Sequence, residues 1–240
     1  VYFYRESSRD MREASRRVTF VNQVSHELKT PLTNIRMYAE LLENRIPDDD
    51  ERTRNYLDVL ISETRRLSRL ITNVLTFAMQ RRGKLKLRPQ PAVVDDVIAS
   101  VVASFGPAMA TMGIDVVLEG EALKQVELDV DLLEQILGNL INNVEKYATN
   151  ATTLRINRSQ DATVTTITVS DDGAGIPEDQ RESVFLPFVR LSNKLSDGVS
   201  GTGIGLAIAR QLACLHGGTL RLLPSERGAT FELTLNTPEA

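Results

Sequence analysis

At 240 residues the chain has room for one large domain or two small ones. Its composition, 42% hydrophobic and 25% charged, is ordinary for a soluble globular protein, and a net charge of −4 gives no reason to expect nucleic-acid binding. One cysteine, Cys214, excludes an internal disulfide and suits a reducing compartment; with only two histidines, His26 and His216, it is too little for a structural zinc site.

The charge is unevenly spread. Residues 1–83 hold 15 Lys and Arg against 12 Asp and Glu, and the remainder 13 against 20. That shift places a boundary near Arg81-Arg82-Gly83. No apolar run approaches membrane-spanning length. The opening Val1-Tyr2-Phe3-Tyr4-Arg5 nevertheless has the aromatic-then-basic character of a membrane interface, as expected of a segment just inside a membrane helix; an arbitrary starting point is the equal alternative.

Residues 6–46 lack glycine and carry one proline, Pro31, so they read as one long helix bent at Pro31. Its apolar positions, Val18, Val21, Leu28, Leu32, Ile35, Ala39, Leu42 and Ile46, recur in steps of three and four, with Ser25 filling one place. That is a coiled-coil-like seam. His26 lies one residue off it, towards water, with Asn22 and Thr30 one turn away on either side. Pro47-Asp48-Asp49-Asp50-Glu51 breaks the helix. A second helix follows with Leu57, Leu60, Leu67, Ile71, Val74 and Ala78 on its seam. The two form an antiparallel hairpin whose stripes are too wide for one hairpin to cover, which predicts a homodimeric four-helix bundle.

From Lys84 the pattern becomes α/β. Leu85, Leu87 and Arg88 read as a short strand and residues 93–112 as a helix. Strands follow at 114–118 and 125–128, then a strong helix at 130–147. The segments 153–157 and 163–170 read as a hairpin dense in β-branched residues. A helix at 203–215, whose apolar run should bury Cys214, precedes strands at 219–222 and 230–235. Sequential hairpins with helices on one face predict an open two-layer sandwich.

Four clusters punctuate this region. On the strong helix, Asn139 and Asn143 stand one turn apart, with Lys146 and Tyr147 a turn beyond; amide oxygens suit magnesium and lysine suits phosphate. Asp171-Asp172-Gly173-Ala174-Gly175-Ile176-Pro177 puts a carboxylate beside a strand end, where it can accept a hydrogen bond from an exocyclic amine. Val184-Phe185-Leu186-Pro187-Phe188-Val189-Arg190 anchors a polar stretch, 191–200, with the composition of a lid. Gly201-Thr202-Gly203-Ile204-Gly205-Leu206 opens a helix, where free N–H groups bind phosphate. Singly, each cluster has another reading: a solvated helix face, a turn, a hydrophobic anchor and, for the last, a dinucleotide fingerprint, though a lid-like stretch and not a strand leads into it.

Taken in order, these strings resemble those of the sensor histidine kinases of two-component signalling. Residues 25–32, Ser-His-Glu-Leu-Lys-Thr-Pro-Leu, are similar to the H box, and 139–147 to the N box. Residues 171–177 resemble the first glycine box, 185–188 the F box and 201–205 the second glycine box. The resemblance runs from about Phe20 to Leu235. It implies several domains: an all-α helical hairpin, paired as a dimeric four-helix bundle, followed by an α/β two-layer sandwich of the histidine kinase ATPase type. The expected limits are 1–17 for a membrane-proximal linker, 18–82 for the dimerisation and phosphotransfer domain and 83–240 for the ATP-binding domain.

Carried across residue by residue, the resemblance makes His26 the phosphoacceptor, Glu27 its base or orienter, and Thr30 the residue that holds a water for dephosphorylating a partner. Asn139 would carry Mg²⁺. Asn143, Lys146, Tyr147, Asp171, Gly173, Gly175, Ile176, Phe188, Arg190, Gly201, Thr202, Gly203, Gly205 and Leu206 would hold ATP, with Asp171 on adenine N6. His216 resembles a structural residue of the family, not a second acceptor. Two departures stand out. Val144 occupies a position where alanine is common. Gln135 stands where the hydrolases of the same superfamily place a catalytic glutamate, and a neutral amide cannot take water's proton. The implied function is autophosphorylation of His26 and transfer to a response-regulator aspartate, with a regulator phosphatase role, on the cytoplasmic side of a membrane and tethered upstream of Val1. A plain ATPase that drives conformational change, or a pseudokinase scaffold, are the alternatives.

Overall fold

The structure, a computed structural model, describes residues 30, 31, 33–35, 37, 38, 41, 42, 51–81, 85–148, 150–190 and 202–240. The chain divides into a helical unit, Val1–Gly83 with Ser200–Thr202, and an α/β unit, Lys84–Val199 with Gly203–Ala240.

In the helical unit the described residues between 30 and 42 are all helical (α1), and Glu51–Arg81 forms the 31-residue α2. The Tyr38 and Tyr56 rings lie 5.5 Å apart, which brings the two helices together as the hairpin pattern requires. On α2, Thr64 turns its hydroxyl back to the Leu60 carbonyl at 2.7 Å. Thr64 fills the place between Leu60 and Leu67 in the seam, and this bond satisfies its hydroxyl within its own helix. Leu57 and Ile71 are 47% and 45% exposed, so the seam of this helix is only partly covered within one chain. The long helix expected before residue 30 lies outside the described residues.

In the α/β unit the elements run β1 (Gln90–Val93), α3 (Val94–Met112), β2 (Asp115–Glu121), β3 (Gln125–Leu128), α4 (Val130–Tyr147), β4 (Thr153–Asp161), β5 (Val164–Asp171), α5 (Gly205–Leu215), β6 (Thr219–Leu223) and β7 (Thr230–Asn236). Two short 3₁₀ turns, Glu178–Gln180 and Ser183–Phe185, lie between β5 and α5. The main sheet has the order β2-β4-β5-β7-β6. Its inner face carries Leu154, Ile156, Ile167, Val169, Leu220, Phe231, Leu233 and Leu235; the helices contribute Ile98, Met109, Leu133, Ile136, Leu137, Leu140, Ile208 and Leu212, all buried. These two apolar faces form the predicted two-layer sandwich.

The structure departs from the sequence pattern in five places. Residues 85–89 are not a strand, and the first strand is Gln90–Val93, which pairs antiparallel with β3 in a separate two-stranded sheet. Leu85 and Leu87 gave the alternation of a strand, but the N–H of Arg88 is taken by the Asp129 carboxylate at 2.7 Å. The β2–β4 pair is parallel, because β3 leaves the main sheet and α4 makes the crossover, so the strands are not all sequential hairpins. The last helix starts at Gly205 and not at 203, since Gly203 has φ 68°, which no right-handed helix accepts. Cys214 is exposed, being two residues on from Leu212 and so turned away from the buried stripe of α5. Finally, Val94–Met112 is by length and composition apolar enough to cross a membrane. Its buried Val97, Ile98, Val101, Phe105 and Met109 and its acidic first turn mark it as a core helix of the sandwich.

Candidate active site

Helix α4 supplies the first wall. Asp129 caps its N-terminus by accepting the Leu132 N–H, and Leu132, Leu133, Ile136, Leu137, Leu140, Ile141 and Val144 bury one side. Val144 is thus a core residue, so its branched side chain is spent on packing. Asn139 is buried although polar, and its Oδ1 lies 3.3 Å from where a Cβ on Gly205 would stand. A side chain at residue 205 would press on the asparagine and make it give by a few tenths of an ångström. Asn143, one turn on, has its Nδ2 buried with no hydrogen-bond partner. Burying an amide unpaired costs roughly 1–3 kcal/mol, so this donor is set for a ligand. Tyr147, at the end of the helix, is 39% exposed.

The loop after β5 forms the second wall. Asp171 Oδ1 accepts the Gly173 N–H at 2.9 Å and the Ala229 N–H at 3.4 Å, and the Asp171 N–H donates to the Ala229 carbonyl at 3.0 Å. Burial raises the pKa of this carboxyl, and those two N–H groups oppose the shift. The neighbouring Asp172 is the reverse case. Hydrogen bonds from the Thr152 hydroxyl at 2.7 Å and from the Thr153 and Thr152 N–H groups hold it down at about 2. One carboxylate therefore staples the α4–β4 connection while its neighbour is turned inward. Gly173 lies against Ala148, where a Cβ would come within 2.8 Å of the Ala148 Cα, so the loop sits directly on the residue after α4. Gly175, at φ 73°, faces the Gly228 carbonyl. A cleft of about 320 Å³ runs between residues 173–177 and the β6–β7 turn.

The third wall joins the two ends of the stretch 191–201, which lies outside the described residues. Phe188, at φ 67°, donates its N–H to the Gly203 carbonyl at 2.8 Å. Below it Phe185 is buried edge-on against Phe231, with the Arg210 guanidinium 4.9 Å over its ring and Glu182 3.3 Å from Arg210. The flanks of the expected lid are thereby fixed to α5 and the sheet.

Within the α/β unit the structure thus brings together Asn139 with Gly205, Asp171 with Gly173, and Phe188 with Gly203. Ile176, Arg190 and Leu206 are half-buried on the same segments. Thr202 is buried and groups with the other unit. Thr30 is an exposed helical residue of the other unit; His26, Glu27 and Gly201 lie outside the described residues. Sequence reasoning missed Gly228 and Ala229, which clamp Asp171, and Thr152, which holds Asp172. A Cβ on Gly228 would collide with the Asp171 carbonyl. The available signal was a glycine closing the turn between two strands. An orphaned amide donor, a close-approach glycine at a helix start and an inward carboxylate fit a nucleotide carrying phosphates at one end and a purine at the other.

A two-layer sandwich with this wall of asparagines and glycines fits a nucleotide-binding domain. Residues 128–239 match the family described as histidine kinase-, DNA gyrase B- and HSP90-like ATPase, and residues 16–83 match the His Kinase A (phospho-acceptor) domain. The chain is 33% identical over 240 residues to the sensor-like histidine kinase SenX3 of Mycolicibacterium smegmatis, covering all of this chain and 62% of that protein. It is 32% identical over 219 residues to the sensor histidine kinase MtrB of Mycobacterium tuberculosis, covering 90% of this chain and 38% of the relative. Among solved structures, full-length ShkA in complex with AMPPNP superposes with a TM-score of 0.64 at 26% identity, over 92% of this chain and 46% of that one. The histidine kinase AdeS of Acinetobacter baumannii shares the fold, with a TM-score of 0.62 at 22% identity, over 88% and 97%. The chain belongs to the sensor histidine kinases of two-component signalling and comprises a phospho-acceptor domain followed by an ATP-binding domain. It spans about three-fifths of SenX3 and less of the other relatives.

Proposed function

We propose that this chain is a kinase core that phosphorylates itself on His26 from Mg²⁺-bound ATP and passes the phosphoryl group to an aspartate of a response-regulator receiver domain. The observation that carries it is Asn139 set against the glycine start of α5, beside the orphaned Asn143 amide, in a chain that also matches the phospho-acceptor family. Asn139 would hold the metal, which would offset phosphate charge when bound. Asn143, Lys146 and the N–H groups at the start of α5 would hold the phosphates, flanked by Thr202, Gly203 and Gly201. Asp171 would take the adenine amine, with Gly173, Gly175, Ile176, Tyr147, Phe188, Arg190 and Leu206 enclosing the ring and ribose.

The transfer balances simply. One imidazole nitrogen of His26 attacks the γ-phosphorus, a P–N bond forms, the bond to the β-phosphate oxygen breaks and ADP leaves; the proton on the other nitrogen goes to Glu27. Neutral imidazole is the reacting form, since only it carries the nitrogen lone pair that forms the bond. In the reverse sense, Thr30 would hold the water for dephosphorylating the regulator. Gln135 in place of a carboxylate disfavours direct hydrolysis of ATP.

The domains are taken as a linker over 1–17, the dimerising phosphotransfer hairpin over 18–82 and the ATP-binding domain over 83–240. The chain works as a homodimer on the cytoplasmic side of a membrane, tethered upstream of Val1. Several of its relatives carry the name of sensor kinases, and one solved neighbour of the same fold is a kinase bound to a response regulator.

Incubation with γ-labelled ATP is the test. An acid-labile label that disappears in His26→Gln supports the reading, and a label that persists there defeats it. Free phosphate released without any phosphoprotein would point to an ATPase instead.

A further inference from the structure

Asp129 makes more contacts than a helix cap requires. It is 5% exposed, and its Oδ1 accepts the Leu132 N–H at 3.2 Å, which is the cap. Its Oδ2 accepts the Arg88 N–H at 2.7 Å, from the irregular segment 85–89 by which the chain enters the α/β unit. Its own N–H donates to Nε2 of His216, 3.1 Å away at the end of α5. Nε2 accepts, so the proton of this imidazole is on Nδ1, which donates to the Asn236 carbonyl at 3.0 Å. One buried residue therefore joins the incoming segment, the start of α4 and the end of α5.

We propose that Asp129 is a positioning residue for phosphoryl transfer, coupling the direction of the segment at Arg88 to the helix that bears Asn139, Asn143 and Lys146. This rests on the kinase reading above. A serine or asparagine would cap α4 as well as aspartate does, so the cap alone does not call for a carboxylate. The second oxygen is used on the segment that leads in from the helical unit, and that bond is the shortest of the three. Asn139 lies ten residues along α4, about 15 Å at the helical rise, and a helix that long moves as a rod. A tilt at its capped end displaces the asparagine at the site. Because His216 ties α5 to the same residue, the glycine start of α5 shifts with it, and the facing pair Asn139 and Gly205 stays matched.

The experiment uses the whole chain and four variants. In Asp129→Asn the amide oxygen can keep the Leu132 cap, while its NH₂ faces the Arg88 N–H and breaks that one link. Arg88→Pro removes the donor from the other side. Arg88→Ala keeps the N–H and is the control. The double variant Asp129→Asn with Arg88→Pro closes the cycle. The expected result is a change of at least about fivefold in the rate of His26 labelling in Asp129→Asn and Arg88→Pro, the range of ordinary coupling. Affinity for a fluorescent ATP analogue should change less than about twofold, Arg88→Ala should behave as the parent, and the double variant should be no worse than either single.

Wild-type labelling in Asp129→Asn overturns the proposal. So does a parallel loss of melting temperature, analogue affinity and rate, which is the signature of a cap and nothing more. If the parent chain does not label on His26, the kinase reading fails separately. Hydrogen exchange then decides: protection of the Arg88 amide must fall in Asp129→Asn together with altered exchange near Asn139 and Gly205, and an unchanged profile overturns the coupling.

Discussion

Two adjacent aspartates illustrate how position sets chemistry at the scale of a residue. Asp172 is held down at about 2 by Thr152 and Thr153, below an ordinary value of 3.8. A depressed folded-state pKa means stability that is present above pH 4 and is lost as pH falls from there towards 2. Asp172→Asn should therefore flatten the acid limb of the stability curve between pH 4 and 2, as read by denaturant melts at each pH. Asp171 has the opposite sign. Burial raises its pKa, so its ionisation weakens the fold as pH rises through the titration, and Asp171→Asn should not lower the melting temperature at pH 7. The same substitution should cut nucleotide-analogue affinity about tenfold or more, measured by calorimetry, if Asp171 receives the adenine amine. Gly175→Ala forces an L-residue to φ 73° and puts a methyl 2.7 Å from the Gly228 carbonyl. A cost of roughly 1–3 kcal/mol in thermal or chemical melts is expected.

Among elements, the α3–sheet junction depends on one side-chain pair. Arg158 on β4 meets Asp95 on the first turn of α3 through two bonds, at 2.9 and 3.1 Å, with only 13% and 14% of the two side chains exposed. Asp95 Oδ1 also accepts the Ala122 N–H at 3.0 Å, fixing the β2–β3 connection. Removing one partner leaves a charge and an N–H unpaired, so Asp95→Ala should cost roughly 2–4 kcal/mol in urea unfolding. A double replacement of Asp95 and Arg158 by apolar residues should recover part of it. Elements also decided where sequence patterning was reliable. Helix α4 was legible from its apolar stripe and its length, and the Asp129 cap found in the structure agrees with both. The segment 85–93 was misread, because the alternation of Leu85 and Leu87 competes with a hydrogen bond to Asp129, 41 residues away. No local pattern reports a partner at that distance.

On the scale of the whole molecule, the helical unit exposes the apolar residues Met37, Leu41, Leu57 and Ile71. A second copy is the proposed cover, since two hairpins make a four-helix bundle. Leu57→Glu with Ile71→Glu should sediment as a monomer at concentrations where the parent is a dimer, with affinity for the ATP analogue unchanged. A dimer that survives both charges would refute that face as the interface.

The two-unit plan, the helix-then-sandwich order, most helices and strands among the described residues, and the five motif strings were legible in the sequence alone, because each is written in local periodicity and in residues adjacent along the chain. Only the tertiary structure decided that β2 runs parallel to β4, that Ala229 and Gly228 clamp Asp171, that Cys214 faces outward, and that Asp129 gathers Arg88, α4 and His216 at one point. The physical reason is range: a strand's partner and a buried carboxylate's donors are chosen by which groups meet once apolar surface is buried, and those groups stand tens of residues apart.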